Sequence, residues 1–268
     1  MCRHLAYLGT PASLRTLLID PPHGLYRQAW APRRQRYGTV NADGFGVGWY
    51  APDDPAPARY RRAVPIWGDE SFADIARVTR AGAVLAAVRS ATEGTDLGTA
   101  AVAPYTDGRW LFSHNGKVEG WPDSVAGLAA TLPASALLGL EARVDSALLW
   151  ALVRHRLELG ATAEQALAET VLALRAAGVT GRFNFLLTDG QLIAATAAGD
   201  TLWYRSGPAG AFVAVASEPG DDEPGWTEVP DSCVVTATRQ QVSVASLGAL
   251  DIHAMENQNT EDGRIAIR

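Results

Sequence analysis

The chain has 268 residues, of which 47% are hydrophobic, and a formal net charge of −6. This length and composition suffice for one large folded domain, and the acidic balance argues against a nucleic-acid partner, since such proteins usually carry a basic surface. No stretch approaches 18 uninterrupted apolar residues, so no membrane span is expected, and the start of the chain lacks the apolar segment of a signal peptide.

The sequence contains two cysteines, Cys2 and Cys233. Two are too few for a disulfide framework, so we expect a reducing, cytoplasmic location. The sequence has no CxxC pair, no HExxH motif and no cluster of His and Cys. It therefore predicts neither a metal site nor a bound cofactor.

The first half of the chain contains short predicted helices and strands joined by loops. A helix is predicted over 10–19, where one proline lies in the first turn and two prolines follow the last. The glycines of 44–48 run into Trp49 and Tyr50 and are not followed by a helix. They indicate a strand that passes close to another backbone rather than a phosphate-binding loop. Further predicted elements are a helix over 69–80 and strands over 83–89 and 110–116, the last running into a turn.

The second half places two helices before a series of short strands. The helices cover roughly 145–159 and 162–178, and the second opens with a Thr-Ala-Glu-Gln capping box. Asp189-Gly190 indicates a hairpin between the first two strands. The predicted strands are 183–188, 191–197, 201–206, 211–217, 232–238 and 241–246. This order predicts an α+β fold in which helices cover antiparallel sheets, with one domain over 1–250 and a polar tail over 251–268.

Cys2 is the first candidate for catalysis. Removal of Met1 makes Cys2 the N-terminal residue, so that a thiol nucleophile and a free α-amine belong to the same residue. Such an amine has a pKa of about 7.7–8.0, close to the pH at which general bases work best. A cysteine also occurs at this position by chance, so the assignment depends on what the rest of the chain supplies.

Three further features occur where predicted elements begin or end. Arg89 ends an apolar strand, where it either serves a site or is an ordinary surface arginine. Asn115 and Gly116 can offer a side-chain amide and a backbone N–H to one oxygen, although the same dipeptide is common in tight turns. Asp145 opens a helix, where it either binds a ligand or caps the helix.

Together these residues suit the cleavage of a γ-glutamyl amide. An arginine clamps the α-carboxylate, and an aspartate accepts a hydrogen bond from the α-ammonium group. The Asn and Gly donors stabilise the tetrahedral oxyanion while Cys2 attacks the δ-carbonyl carbon.

Short motifs spread over most of the chain resemble those of the class II glutamine amidotransferases, a family of N-terminal nucleophile hydrolases. The shared motifs are Met1-Cys-Arg-His4, Trp30-Ala-Pro-Arg-Arg-Gln35, Asn41-Ala-Asp-Gly44, Ile66-Trp-Gly-Asp-Glu-Ser-Phe72, Val84-Leu-Ala-Ala-Val-Arg-Ser-Ala-Thr92, Ser113-His-Asn-Gly116, Val144-Asp-Ser-Ala147, Gly199-Asp-Thr-Leu202, Ala216-Ser-Glu-Pro219 and Asp221-Asp-Glu-Pro-Gly-Trp226. The Arg-Ser-Ala-Thr and Ser-His-Asn-Gly motifs are characteristic of the whole family. The flanking segments are most similar to its ergothioneine branch, the γ-glutamyl-hercynylcysteine sulfoxide amidohydrolases.

The resemblance implies a four-layer αββα sandwich with two stacked, largely antiparallel sheets. The family's roles carry over to six residues, namely Cys2 (nucleophile), Asn115 and Gly116 (oxyanion hole), Arg89 and Asp145 (glutamyl end), and His114 (support of the hole or substrate binding). In the family's usual mechanism the α-amine takes the thiol proton, the amine product leaves, and water hydrolyses the glutamyl thioester.

The expected substrate also comes from the resemblance. It is the small molecule γ-glutamyl-hercynylcysteine sulfoxide, hydrolysed to glutamate and hercynylcysteine sulfoxide. Its trimethylammonium group suits cation–π recognition, for which Trp67 and Phe45 are candidates, against the ordinary alternative that both rings pack in the core.

Two other functions use the same residues. The chain is alternatively a glutaminase, or the amidotransferase subunit of a synthase, that releases ammonia from glutamine. A second alternative is a γ-glutamyl-binding protein with a silent site. The sequence departs from the family at Ser113, where many members have Asn, and at Ala147, where many have Glu. These departures and the lack of an obvious synthase segment favour hydrolysis of a larger amide.

Overall fold

β-Strands form the framework of the molecule, whose computed structural model describes residues 2–92 and 94–249. The strands in those ranges are β1 (Arg3–Ser13), β2 (Phe45–Trp49), β3 (Ala58–Arg62), β4 (Arg80–Val88), β5 (Tyr105–Asp107), β6 (Trp110–Val118), β7 (Gly181–Thr188), β8 (Ile193–Ala197), β9 (Trp203–Ser206), β10 (Phe212–Ala216), β11 (Thr227–Glu228), β12 (Cys233–Ala237) and β13 (Val242–Ser246). The predicted polar tail over 251–268 lies outside the described residues.

The strands form two antiparallel sheets. One has seven strands in the order β11-β9-β10-β1-β4-β2-β3, and the other has six in the order β13-β12-β8-β7-β6-β5. Leu8 and Leu85 of the first sheet share one buried apolar cluster with Leu111, Leu186 and Val235 of the second. Burial of each such side chain is worth about 1.5–3 kcal/mol, so this cluster holds the two sheets face to face.

Helices cover the outer faces of both sheets. They are α1 (Leu14–Leu18), α2 (Leu25–Gln28), α3 (Glu70–Val78), α4 (Ala126–Ala129), α5 (Ala134–Leu138), α6 (Asp145–Glu158) and α7 (Ala163–Ala176). Helices α1 to α3 pack on the seven-stranded sheet, whereas α6 and α7, with α4 and α5 beside them, pack on the six-stranded sheet. The result is the four-layer αββα sandwich that the resemblance implies. No helix in the described ranges is long and apolar enough to cross a membrane.

Strand β1 is the central element of the seven-stranded sheet and lies between β10 and β4. Every residue from Arg3 to Gly9 is buried, as expected for a strand that is covered on both faces. The predicted helix over 10–19 is only partly correct. After a register shift beyond Leu8, the strand continues to pair with β4 as far as Ser13. The Ser13 hydroxyl then accepts the N–H of Thr16 at 3.1 Å and starts the helix there.

Strand β6 contains the Asn-Gly pair in its interior, so the prediction of a turn at this point is wrong. Asn115 faces Asn184 and Gly116 faces Phe183 across the ladder with β7. Strand β7 extends to Gly181, which faces Val118, so the pairing continues past Gly116. The long ladder overrides the local preference of Asn-Gly for a turn.

Other predicted elements are confirmed. Thr162 and Gln165 form the capping box, with both reciprocal hydrogen bonds present at the start of α7. Gly190 has a φ of +87° in the β7–β8 hairpin, as the Asp-Gly pair indicated. A side chain at Gly46 would collide with the carbonyl oxygen of Ala103, so the glycines of β2 do permit a close backbone approach.

Candidate active site

Cys2 directly precedes the central strand β1, and it is partly exposed. Arg3 pairs with Val88 of β4, so the next position in this register brings Cys2 opposite Arg89. Side chains alternate along a strand, so Cys2 shares the inter-sheet side with His4, whose ring contacts Ser113 of β6 at 3.2 Å. The thiol therefore lies at the end of a rigid, buried strand, between the two sheets.

Arg89 follows β4 and is 7% exposed. Its Nη2 donates to the carbonyl oxygen of Asp96 at 2.7 Å and lies 3.4 Å from the Thr95 hydroxyl. Its Nη1 is buried and has no hydrogen-bond partner among the described residues. A buried, unsatisfied donor costs about 1–3 kcal/mol, more for a charged group, so an anionic ligand at Nη1 would remove a substantial penalty.

Asp145 is the first residue of α6 and is 6% exposed. One carboxylate oxygen accepts the backbone N–H of Val118 at 3.0 Å, and the other accepts that of Ser146 at 2.8 Å. Val144 occupies the cap position, so Asp145 does not act as the N-cap. The Ser146 hydroxyl also lies 3.4 Å from Oδ1, whereas Oδ2 keeps a further lone pair, and the start of a helix favours negative charge. The carboxylate can therefore accept a hydrogen bond from an ammonium group.

The edge of β6 next to Asp145 carries backbone donors. Strand β5 pairs with β6 only as far as Phe112, whereas β7 pairs along its whole length. The N–H of Glu119 points to the β7 side and bonds Thr180, whereas the N–H of Val118 points away and bonds Asp145. Because N–H groups alternate along a strand, the N–H of Gly116 points to the same open edge as that of Val118.

Gly116 cannot be replaced by another residue without movement of the sheet. A Cβ at this position would collide with the carbonyl oxygen of Arg182 and lie 2.5 Å from the ring of His114. The neighbouring Asn115 is fully buried and faces the inter-sheet side, where its Nδ2 donates to the Ser217 hydroxyl at 3.3 Å. Its Oδ1 is buried and has no partner among the described residues.

The two histidines near Cys2 are held neutral. Burial, reinforced by the charges of His114 and Arg3, lowers the pKa of His4 to about 3. Burial also lowers the pKa of His114, although Asp145 opposes this shift. The Nε2–H of His114 donates to the carbonyl of Arg182 at 2.9 Å, so its Nδ1 accepts from the Ser146 hydroxyl, also at 2.9 Å. Both ring nitrogens of His114 are thus used within the protein, where the ring links β6 to α6 and β7.

The two aromatic candidates lie in different environments. Phe45 is 0% exposed and packs on Phe72 with ring centroids 4.8 Å apart. The prediction that Phe45 contacts substrate is therefore wrong in this arrangement, because its ring is enclosed by the core beneath α3. Trp67 is 39% exposed and meets Trp30 edge to face at 5.4 Å, so one part of its surface is open to solvent.

Residues from several distant motifs converge around Arg3, which sequence reasoning did not single out. The Arg3 guanidinium is fully buried, with its Nη1 3.8 Å from the Asp200 carboxylate and its Nε donating to the Gln35 amide oxygen at 3.2 Å. Glu218 accepts the backbone N–H groups of Arg33 and Arg34 at 2.9 and 2.7 Å. The shared motifs at 30–35, 199–202 and 216–219 therefore form one polar layer behind Cys2.

Ser217 is a second residue that the sequence identified only as part of a motif. Its hydroxyl accepts the backbone N–H of His4 at 3.0 Å, two residues after Cys2. The same oxygen accepts from Asn115 at the opposite sheet. Only the folded arrangement reveals this position, since Ser217 lies more than 100 residues from Asn115 and more than 200 from Cys2 in the sequence.

Comparison with known proteins agrees with this architecture. Gamma-glutamyl-hercynylcysteine sulfoxide hydrolases from Mycobacterium tuberculosis and Mycolicibacterium smegmatis are each 42% identical to the chain, cover 92% of it, and are themselves covered over 97% and 100% of their lengths. The structure of a glutamine aminotransferase class-II domain protein from Silicibacter pomeroyi superposes with a TM-score of 0.67 at 24% identity, covering 92% of this chain and 99% of that one. At this identity the superposition shows a common fold.

A sequence model of one family matches the chain over residues 25–218. That family is described as glutamine amidotransferases class-II, and the match spans well over half of the chain. The match, the mycobacterial relatives and the fold all agree. The chain belongs to the class II glutamine amidotransferases.

Proposed function

We propose that this protein hydrolyses the γ-glutamyl amide of γ-glutamyl-hercynylcysteine sulfoxide, giving glutamate and hercynylcysteine sulfoxide in ergothioneine biosynthesis. The mycobacterial relatives with that name are similar over nearly their whole length. The observation that carries the proposal is that Arg89, with an unused buried donor, and the buried carboxylate of Asp145 act electrostatically on the same residue, Tyr105, as Cys2 does. A cation and an anion around one nucleophile match the two charges of a glutamyl group.

The glutamyl end binds between these two charges. The Arg89 fork donates to the α-carboxylate, and Asp145 accepts from the α-ammonium group. Both side chains are almost fully buried, so water does not screen their interaction with the ligand. The positions of both charges select a free amino acid end and exclude internal peptide bonds.

The chemistry proceeds through a thioester. With Met1 removed, the α-amine of Cys2 takes the thiol proton, and the thiolate adds to the δ-carbonyl carbon. The N–H of Gly116 and the amide of Asn115 stabilise the oxyanion. The C–N bond then breaks, the amine leaves with the proton, and water hydrolyses the thioester to glutamate and free thiol. His4 and His114 take no part as bases, because burial lowers the pKa of each ring and both ring nitrogens of His114 are hydrogen-bonded within the protein.

A reducing, cytoplasmic location is part of the proposal, because the nucleophile must be a free thiol. Trp67 is the remaining aromatic candidate for the trimethylammonium group of the substrate. Its partial exposure supports this role, since a cation needs access to the face of the ring.

The proposal is tested by measuring glutamate release from the sulfoxide, with glutamine in parallel, using enzyme shown by intact mass to lack Met1. We expect turnover of the sulfoxide to exceed that of glutamine. Cys2→Ser is expected to lose activity, whereas Cys233→Ser, at the only other thiol, is the matched control and keeps it. Preferred turnover of glutamine would instead favour a glutaminase, and enzyme that retains Met1 is expected to be inactive.

A further inference from the structure

The hydroxyl proton of Ser217 has no acceptor among the residues that the structure describes. It is fully buried, its N–H donates to the carbonyl of His4 at 3.0 Å, and its own carbonyl accepts from the Thr201 hydroxyl at 2.8 Å. Its Oγ accepts the N–H of His4 at 3.0 Å. The hydroxyl proton therefore remains to be donated. The group next to it is the side-chain amide of Asn115.

The Asn115 amide has an acceptor that lacks a donor. Its Oδ1 is buried without a partner among the described residues, while its Nδ2 lies 3.3 Å from the Ser217 oxygen. The two ends of a primary amide have nearly the same shape, and hydrogen bonding decides which end points in which direction. If the amide is turned by 180°, the Ser217 hydroxyl donates to Oδ1. The Nδ2 group then occupies the position where Oδ1 had no partner.

We infer that Ser217 is a positioning residue that sets the orientation of the Asn115 amide so that its NH₂ group is presented to the reaction. This inference rests on the proposed function, because it concerns the oxyanion that γ-glutamyl hydrolysis creates. An Asn115 oxygen facing the oxyanion would repel it, whereas an N–H group would stabilise it. By holding the backbone of His4 as well, Ser217 links the strand of the nucleophile to the oxyanion donor on the opposite sheet.

The inference is tested by a double-mutant cycle between Ser217→Ala and Asn115→Ala. Ser217→Ala is expected to lower kcat by about 10- to 100-fold, in the range for a buried group that loses its hydrogen-bond partner. KM is expected to change less than about twofold, because Arg89 and Asp145 still hold the glutamyl end. In an Asn115→Ala background the same substitution is expected to lower kcat by less than about threefold, since the group that it orients is gone.

Thr201→Val is the matched control, because it removes a hydrogen bond to Ser217 without touching the hydroxyl. It is expected to lower the unfolding midpoint while its effect on kcat stays small and does not depend on Asn115. If Ser217→Ala does not fold, Ser217→Cys, whose thiol is a weak donor of similar shape, takes its place in the cycle. An unchanged kcat in Ser217→Ala, or effects that multiply in the double variant, would overturn the inference.

A failure of the proposed function can be distinguished from a failure of the role inferred for Ser217. Any γ-glutamyl amide forms the same oxyanion, so the cycle is measured on both the sulfoxide and glutamine. Wild-type enzyme that cleaves only glutamine overturns the proposed substrate, and the cycle on glutamine still decides the role of Ser217. Wild-type enzyme that cleaves neither amide overturns both.

Discussion

At the scale of single residues, Arg89 is the side chain whose buried, unused donor most clearly favours an anionic ligand. Arg89→Lys keeps the charge but loses the planar fork that binds a carboxylate through two hydrogen bonds. We expect KM for the γ-glutamyl substrate to rise about 10- to 100-fold with little change in kcat, because the α-carboxylate is bound equally in the ground state and the transition state. Steady-state kinetics at constant pH measure both parameters.

Arg80→Lys is the matched control for this prediction. Arg80 lies at the opposite end of the same strand and is exposed, with its Nη2 donating to the carbonyl of Pro11. We expect its kinetics to equal those of the wild type. If Arg89→Lys lowers kcat and leaves KM unchanged, the guanidinium does not bind the α-carboxylate.

Trp67 offers a second prediction at this scale. Trp67→Ala is expected to raise KM for the sulfoxide by about 2- to 30-fold, the range of a single cation–π contact. Glutamine carries no quaternary ammonium group, so its KM in the same variant serves as an internal control and should not change. An equal rise for both substrates would show that Trp67 supports the fold around Trp30 rather than binding the cation.

The site residues that could be predicted from the sequence are charged side chains at the beginning or end of an apolar element. Arg89 after an apolar strand and Asp145 at the start of a helix are conspicuous in the sequence, and both prove to be buried. Ser217 is a serine among many, and its significance comes from contacts across two sheets. Phe45 shows the opposite error, because a ring in a glycine-rich segment looked accessible but lies in the core.

At the scale of secondary-structure elements, the local sequence of β1 and β6 did not predict the strands that long-range pairing forms there. The strands after residue 182 were predicted closely, because they alternate with clear turn signals. Strand β1 was missed, since its residues are buried on both faces and show no alternation that would reveal a strand. The Asn-Gly pair within β6 was interpreted as a turn, whereas pairing with β7 keeps it extended.

This extended geometry makes Gly116 essential to β6. In Gly116→Ala the added methyl group meets the Arg182 carbonyl and the His114 ring, so β6 must move away from β7. Overpacking of this kind typically costs about 1–3 kcal/mol, and the shift also misplaces the backbone N–H at the oxyanion. We expect a lower unfolding midpoint together with a loss of kcat of about 100-fold or more.

Gly127→Ala is the control for this substitution. Gly127 lies in α4, and a Cβ there would meet no heavy atom within 4 Å apart from its chain neighbours and the backbone of its own helix. We expect unchanged kcat and equal or slightly higher stability, because alanine favours a helix more than glycine does. If Gly116→Ala retains wild-type activity, the backbone of β6 does not form the oxyanion hole.

At the scale of the whole molecule, His4 between the two sheets and His114 between the six-stranded sheet and α6 stay neutral, and this links global stability to pH. The pKa of His4 is about 3 in the folded state but about 6.5 in the unfolded chain, and burial lowers the pKa of His114 as well. Between these values the unfolded chain binds a proton that the folded protein does not. Stability therefore rises with pH in this window and falls as the pH decreases from 6.5.

We expect His4 to lower the free energy of unfolding by about 1.5 kcal/mol between pH 6.5 and pH 5, before most carboxylates titrate, and His114 to add to this decrease. Urea unfolding at several pH values measures this dependence, and His4→Gln should remove the part that His4 contributes, about 1.5 kcal/mol over this range. His155→Gln, on α6 and partly exposed, is the control and should keep the full slope. A slope unchanged by His4→Gln would mean that His4 is protonated between the sheets, and its proton would then be available to the chemistry at Cys2.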